Sequence, residues 1–282
     1  MRFQWLGRRE EADLTLKHWK NDKPEAPSVD RSAWTRGFMQ LSSTPIPKAI
    51  IAGLIILLII LTYGLVLLHQ DKEAFLFWIR EDGLVEWLTF VVLIVMSAFS
   101  FIMSFEFSRS GTEGKGNKVW LFLGFLFFFA AMEEISWGQR ILGIESPEWF
   151  LKHNRQFETN VHNLVIYGMN LNKVIFGRFL GIMVLIYLLA MPILYRLHRK
   201  FKNFINRWAI PMPQNYQILL FIIVNTILQF HLGLTKKVSE MRELSTCFLF
   251  FLVLIHPFND QVFPIKGLSS LRRMVFTKEG KS

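Results

Sequence analysis

Ala49 to Leu68 is an almost wholly apolar run, and it constrains the fold more tightly than anything else in the chain. At 1.5 Å per residue, a helix of about 20 residues crosses the roughly 30 Å of a bilayer core and satisfies its backbone hydrogen bonds internally. Five further runs, 84–105, 119–140, 174–194, 216–234 and 240–258, have a similar length. The sequence therefore predicts an all-α polytopic membrane bundle of six transmembrane helices spanning 48–260. A cytoplasmic N-terminal arm, 1–47, precedes it and a cytoplasmic tail, 261–282, follows. The first 40 or so residues have no signal-peptide core, so the first run is read as the signal anchor.

Composition agrees. With 52% apolar residues, 28 Phe and 19% charge, the chain is too apolar for an ordinary soluble domain and far from disordered. The net charge of +10 raises the question of nucleic acid. No aromatic-basic nucleic-acid module is visible, and basic residues of a membrane protein gather in its cytoplasmic loops, so no nucleic-acid partner is expected. A single Cys247 inside an apolar run excludes an intrachain disulfide and a thiolate zinc site.

Between spans three and four, 144–173 forms the longest connection and is read as interfacial or re-entrant. Ser146-Pro147-Glu148 signals a helix start, with Ser as cap and Pro first. Two short helices are expected, about 147–155 and 160–171. The stretch 195–208 alternates Leu197, Phe201, Phe204, Ile205 and Trp208 with Arg196, Arg199, Lys200, Lys202 and Arg207, which marks a cytoplasmic amphipathic helix.

Six spans put about two thirds of the 32 Lys and Arg residues on one side, which the positive-inside rule makes cytoplasmic. Glu86, Glu133, Glu134, Arg140, Glu158, His162, Glu240, Arg242 and Glu243 then all fall toward the opposite side. Glu133 lies roughly 22 Å along its helix from Lys118, inside the far leaflet, where a charge costs roughly 2.5 to 3.5 kcal/mol on insertion scales. An outward-facing polar pocket, lined by spans two, three and six and lidded by 144–173, is the expected reason for that cost.

Several chemistries fit those residue types. Two nearby carboxylates in a poorly solvated site do not both ionise cheaply, which makes Glu133 or Glu134 a general acid or base. Glu133 shares a helical face with Trp137 and Arg140, and one of the two acids is expected to pair with Arg140 or Arg242. Glu158 and His162 are four residues apart, so on one helix they would point the same way, with His162 as base or ligand. Together with Glu86 they make a carboxylate-rich set suited to a divalent metal such as zinc, manganese or iron. Arg140 suits an anionic group, and Gln139, Asn163 and Arg242 are further polar contacts for a substrate. Against each stands a plainer reading: a buried ion-pair network fixing helix packing, acids favoured at helix starts by the dipole, or a solvated Glu/His pair.

The strings Glu133-Glu134-Ile135-Ser136-Trp137-Gly138-Gln139-Arg140 and Glu158-Thr159-Asn160-Val161-His162-Asn163-Leu164, with Asp82-Gly83-Leu84-Val85-Glu86-Trp87 upstream, resemble a bacterial family of polytopic inner-membrane proteins. The resemblance covers about residues 80–165 and implies a multi-pass inner-membrane location, with no particular activity. The pattern of the CPBP intramembrane proteases, Glu-Glu-x-x-x-Arg, Phe-x-x-x-His and His-x-x-x-Asn, is not met. Arg140 is two residues too far from the acids, Phe157 to His162 is one too long, and His256 to Asn259 is one too short. The Ser, Asp and His set of the alkaline-ceramidase-like enzymes is not recognisable either.

Three functions remain open on the sequence. The leading expectation is a hydrolase or transferase acting on a lipid or lipid-linked envelope substrate, with Glu133, Glu134 and His162 as its catalytic groups. The alternatives are a non-catalytic subunit of an envelope-assembly complex, its partners other assembly proteins and membrane lipids, and an ion- or proton-coupled transporter. A transporter should show paired broken helices and internal symmetry, and neither is evident.

Overall fold

A computed structural model describes residues 45–80, 83–111, 115–171 and 179–264, all within one compact unit, Gln40–Ser282. The N-terminal arm up to residue 44, the start of the expected fourth span at 172–178, and the tail from 265 lie outside the described residues.

The described chain is mostly helical. Helix α1 (Lys48–Gln70) is followed by a short α2 (Lys72–Trp78), whose first turn is capped by Asp71 accepting from the Ala74 N–H at 2.9 Å. Helices α3 (Leu84–Arg109) and α4 (Gly116–Glu134) pack as an extensive antiparallel pair. Their contact follows from small residues on α3. Ser97 Oγ donates to the Gly124 carbonyl at 2.9 Å, and Ser104 Oγ to that of Asn117 at 2.8 Å. A Cβ on Gly124 would stand 2.7 Å from the Phe101 ring, so only glycine allows this approach.

Helix α7 (Leu180–Leu197) widens into a π-helical stretch, Ile186–Ala190, just before Pro192. Proline has no N–H for the carbonyl four residues back, and the wider turn absorbs the missing bond. After a break at His198 comes the amphipathic α8 (Arg199–Arg207), then α9 (Asn215–His231) and α10 (Val238–Ile255). Helix α10 packs on α3, α9 and α1.

Four helices, α1, α3, α4 and α7, are long and apolar enough to cross a membrane. Helix α9 has 17 residues, and α10 carries Glu240, Arg242 and Glu243 in its first two turns. Ile55, Ile56, Leu58 and Ile59 on α1 and Phe122 and Phe125 on α4 point outward, a surface suited to lipid rather than water.

The bundle has two chemically distinct ends. At one, Trp120 Nε1 donates to the Ala209 carbonyl at 3.0 Å and the Lys115 N–H to that of Arg207 at 3.0 Å, joining the start of α4 to the end of α8. Buried Gln214, Gln217, His256 and Asn259 are hydrogen-bonded there. The Gln217 amide donates to the Leu252 and His256 carbonyls, Tyr216 Oη meets His256 Nδ1 at 2.9 Å, and Asn259 Oδ1 accepts from the Met212 N–H at 2.9 Å. At the other end stand the start of α3, the end of α4, the 135–171 segment and the start of α10.

Two expectations for this second end change. Helix α4 stops at Glu134 rather than continuing to 140, because Ser136, Trp137 and Gly138 all have positive φ (48°, 57° and 74°). In 144–171 the first short helix is present as α6 (Glu148–His153), after the one-turn α5 (Gln139–Leu142), but the second is not. Its place is taken by a two-stranded hairpin, β1 (Val165–Ile166) with β2 (Met169–Asn170), turning through Tyr167 and Gly168 at φ 51° and 74°. Asn154 Oδ1 accepts from the Gln156 and Glu158 N–H groups, so side-chain bonds hold this backbone away from helix.

Candidate functional site

The two polar strings meet at the end of α4. Glu133, in its last turn and buried, is the anchor. One carboxylate oxygen accepts from Trp137 Nε1 at 2.7 Å; the other accepts from the N–H groups of Val161 at 2.6 Å and His162 at 3.0 Å. His162 Nδ1 stands 3.4 Å from that same oxygen. The positive-φ turn after α4 is what brings Trp137 back over Glu133, and these charge-assisted bonds offset a strain of about 1–3 kcal/mol per such residue.

A second layer lies beside it. Ser136 Oγ donates to Glu158 Oε2 at 2.6 Å, and Asn160 Nδ2 donates to both Glu158 Oε2 (2.8 Å) and Ser136 Oγ (2.9 Å). Asn154 in turn donates to the Asn160 carbonyl and side-chain oxygen at 2.9 and 2.8 Å. Arg140 reaches a loop and a helix at once: Nη1 is 3.0 Å from Glu158 Oε1, and Nη2 is 3.0 Å from Glu86 Oε1 in the first turn of α3. Gln139 Oε1 accepts the Thr159 N–H at 2.7 Å, while its Nε2 donates at 2.7 Å to Ser146 Oγ, which donates to the Phe157 carbonyl. Asn163 Nδ2 bonds Gln156 Oε1 and meets His162 Nε2 at 3.0 Å.

This arrangement overturns the outward-facing polar pocket. The acids, His162 and Arg140 are turned on one another as internal pairs, Glu133 with His162 and Glu158 with Arg140. The physical reason is local: with α4 broken at Ile135, Arg140 is displaced from the Glu133 face and swings to Glu86 and Glu158. Glu158 and His162 lie on no common helix. Arg140 joins Glu86 and Glu158, while His162 goes to Glu133, and among the described residues no three His, Cys, Asp or Glu converge as a metal site.

Glu134 and Arg242 take no part in this network. Glu134 lies within electrostatic reach of Glu243, Glu240 and Glu86. Among the described residues, the carboxylates of Glu134, Glu240 and Glu243 make no hydrogen bond or close ion pair, although His162 interacts electrostatically with both α10 acids, Lys237 with Glu240 and Arg242 with Glu243. Arg242 Nη1 donates to Gln229 Oε1 of α9 at 3.1 Å.

Sequence reasoning missed Ser136, Ser146, Asn154 and Asn160 as members of the cluster, placed Trp137 beside Glu133 only as a neighbour on a helical face, and left aside the network around His256. The Asn and Ser residues inside the two strings are the signal that could have found the first set, because buried charge needs neutral donors around it.

Fold and site together define a helical bundle with four helices long and apolar enough to cross a membrane and a self-paired polar cap at one end. Comparison with protein-family models, curated proteins and solved structures gives no match.

Proposed function

We propose that the chain is a non-catalytic, polytopic subunit of an assembly in the bacterial inner membrane, and that its polar strings form a structural cap locking α3, α4 and the 135–171 segment together. The observation that carries this reading is the double bridge of Arg140 to Glu86 and Glu158, with Glu133 accepting from three N–H donors of its own fold and facing His162 Nδ1 at 3.4 Å. Charge-assisted bonds of this kind hold the segments that they join in one geometry.

Six crossings, with both termini cytoplasmic, suit the same reading. Helices α9 and α10 pack against the bundle and are apolar over most of their length, which supports adding them to the four longer helices. The sequence count supports the orientation: six crossings assign about two thirds of the 32 Lys and Arg residues to the segments on one side.

The test is the mass of the protein purified from its native membrane in mild detergent. A stoichiometric second polypeptide above the 33.1 kDa of this chain is expected. A homogeneous preparation of this chain alone, still able to complement a deletion, would overturn the subunit reading.

The Glu134, Glu240 and Glu243 group favours a second reading, a proton- or cation-coupled carrier. Proteoliposomes holding a pH gradient distinguish the two: dissipation that depends on Glu134 supports a carrier, and a gradient unaffected by the protein supports the subunit.

A further inference from the structure

The end of the bundle opposite the polar cap carries a built cationic surface that the structural reading above does not use. Helix α8 is laid across this end by two fixed points. His198 breaks it from α7, and the Lys115 N–H donates to its last carbonyl, that of Arg207, at 3.0 Å. Its inner face is closed by Ile205, which is wholly buried, and by the Tyr195 hydroxyl bonded to Asn206 at 3.0 Å. Its outer face exposes Arg199, Lys200, Lys202 and Arg207. Residues 195 to 214 contain no acid.

The charge continues onto neighbouring elements. Lys115 sits over the Trp208 ring at 4.6 Å, and Lys118 and Arg109 are exposed at the start of α4 and the end of α3. Glu106 and Asp260 are the acids described nearest this end of α3 and α10, and both are half-buried. Among the cations, Phe204 and Leu197 stay about half exposed (51% and 46%). Exposed cations interleaved with apolar side chains, on a helix set across the end of an apolar bundle, match one surface chemistry: phosphate outside and hydrocarbon beneath.

We propose that α8, with Lys115 and Lys118, is a binding surface for anionic phospholipid headgroups, the cations taking the phosphates while Phe204 and Leu197 enter the acyl boundary. The inference requires a membrane-embedded chain but neither the subunit nor the carrier reading. A free anion would meet the charges and leave Phe204 and Leu197 without purpose.

Native mass spectrometry of the full chain tests this, using phosphatidylglycerol and phosphatidylcholine of equal chain length, each added at equal concentration. Phosphatidylglycerol should be retained and phosphatidylcholine not. Combined Arg199→Gln, Lys200→Gln, Lys202→Gln and Arg207→Gln should weaken phosphatidylglycerol retention at least roughly tenfold, at about one interaction lost per cation near a surface. Thermal unfolding of that variant in detergent should match the parent, since all four side chains are exposed. The matching all-Lys variant should retain the lipid. Equal retention of the two lipids, or no loss in the Gln variant, would overturn the proposal. Displacement of the lipid by millimolar glycerol phosphate would do so as well, by making the surface a soluble-anion site.

Discussion

Glu133 and His162 are 29 residues apart in sequence, yet the backbone N–H of His162 donates to the Glu133 carboxylate at 3.0 Å while its ring nitrogen lies 3.4 Å from the same oxygen. One carboxylate at the end of α4 thus fixes both the backbone and the side chain of a distant loop. The pairing explains why a charge is placed beside an apolar helix: its partners are carried in the second string.

Truncating Glu133 should be far worse than neutralising it. Glu133→Ala removes the acceptor of the Val161 and His162 N–H groups and of the Trp137 indole at a part-buried site, at about 1 kcal/mol for each bond lost. Glu133→Gln keeps one acceptor oxygen and should lose less than half as much. Thermal unfolding in detergent, followed by tryptophan fluorescence, ranks the two; equal losses would contradict the role given to the carboxylate oxygens.

Arg140 bridges two acids with separate nitrogens, a geometry that a lysine ammonium cannot reproduce. Arg140→Gln should destabilise by about 2–4 kcal/mol, discounted from a fully buried pair because the side chains are partly exposed. Arg140→Lys should recover a minority of the loss. A double-mutant cycle with Glu158→Gln should give a coupling of about 1–2 kcal/mol; strict additivity would break the bridge.

At Asn160 the sign of the substitution is informative. Its amide donates to Ser136 and Glu158. Asn160→Asp removes the donor and sets a second carboxylate against Glu158 while keeping the oxygen that accepts from Asn154, whereas Asn160→Ala removes both the donor and that acceptor but buries no added charge. Asp should therefore be the more destabilising of the two, by about 1–2 kcal/mol at neutral pH, with the gap closing as acid protonates the pair. Unfolding measured at two pH values checks both statements.

Gly124 tests the α3–α4 contact independently of the cap. A methyl group there meets the Phe101 ring at 2.7 Å. Gly124→Ala should cost about 1–3 kcal/mol as an overpacking change, while Ser97→Ala, which removes one bond to the Gly124 carbonyl, should cost about 1 kcal/mol. The reverse order in a melting assay would reject the close approach.

How much of this was legible in the sequence depends on the range of the forces involved. The apolar runs of α1, α3 and α4 report their structure directly, since an apolar character kept over the whole length is written into nearly every residue of the helix. The gathering of Glu86, Glu133, Arg140, Glu158 and His162 at one end was also legible, because alternating span direction fixes which termini meet. What those residues do there was not. The break after Glu134 depends on positive φ at Ser136 and Trp137, residue types with no preference for that conformation, and a helix carried on to Arg140 sends its guanidinium the wrong way. The loop that leads into the hairpin at 165–170 was hidden for a similar reason: Asn154 and Asn160 hold it by side-chain bonds that leave no periodic trace.

The most direct measurement of the central claim is the reactivity of a cysteine placed at Ser136, which is wholly buried beneath Glu158 and Asn160, against one placed at exposed Glu145. Both are made in a Cys247→Ala background and treated with a water-soluble maleimide in detergent under native conditions. A cap closed on itself predicts that the Glu145 position labels fully while the Ser136 position stays unlabelled until the protein is denatured. Comparable labelling at both positions under native conditions would show a cap open to water and contradict the account.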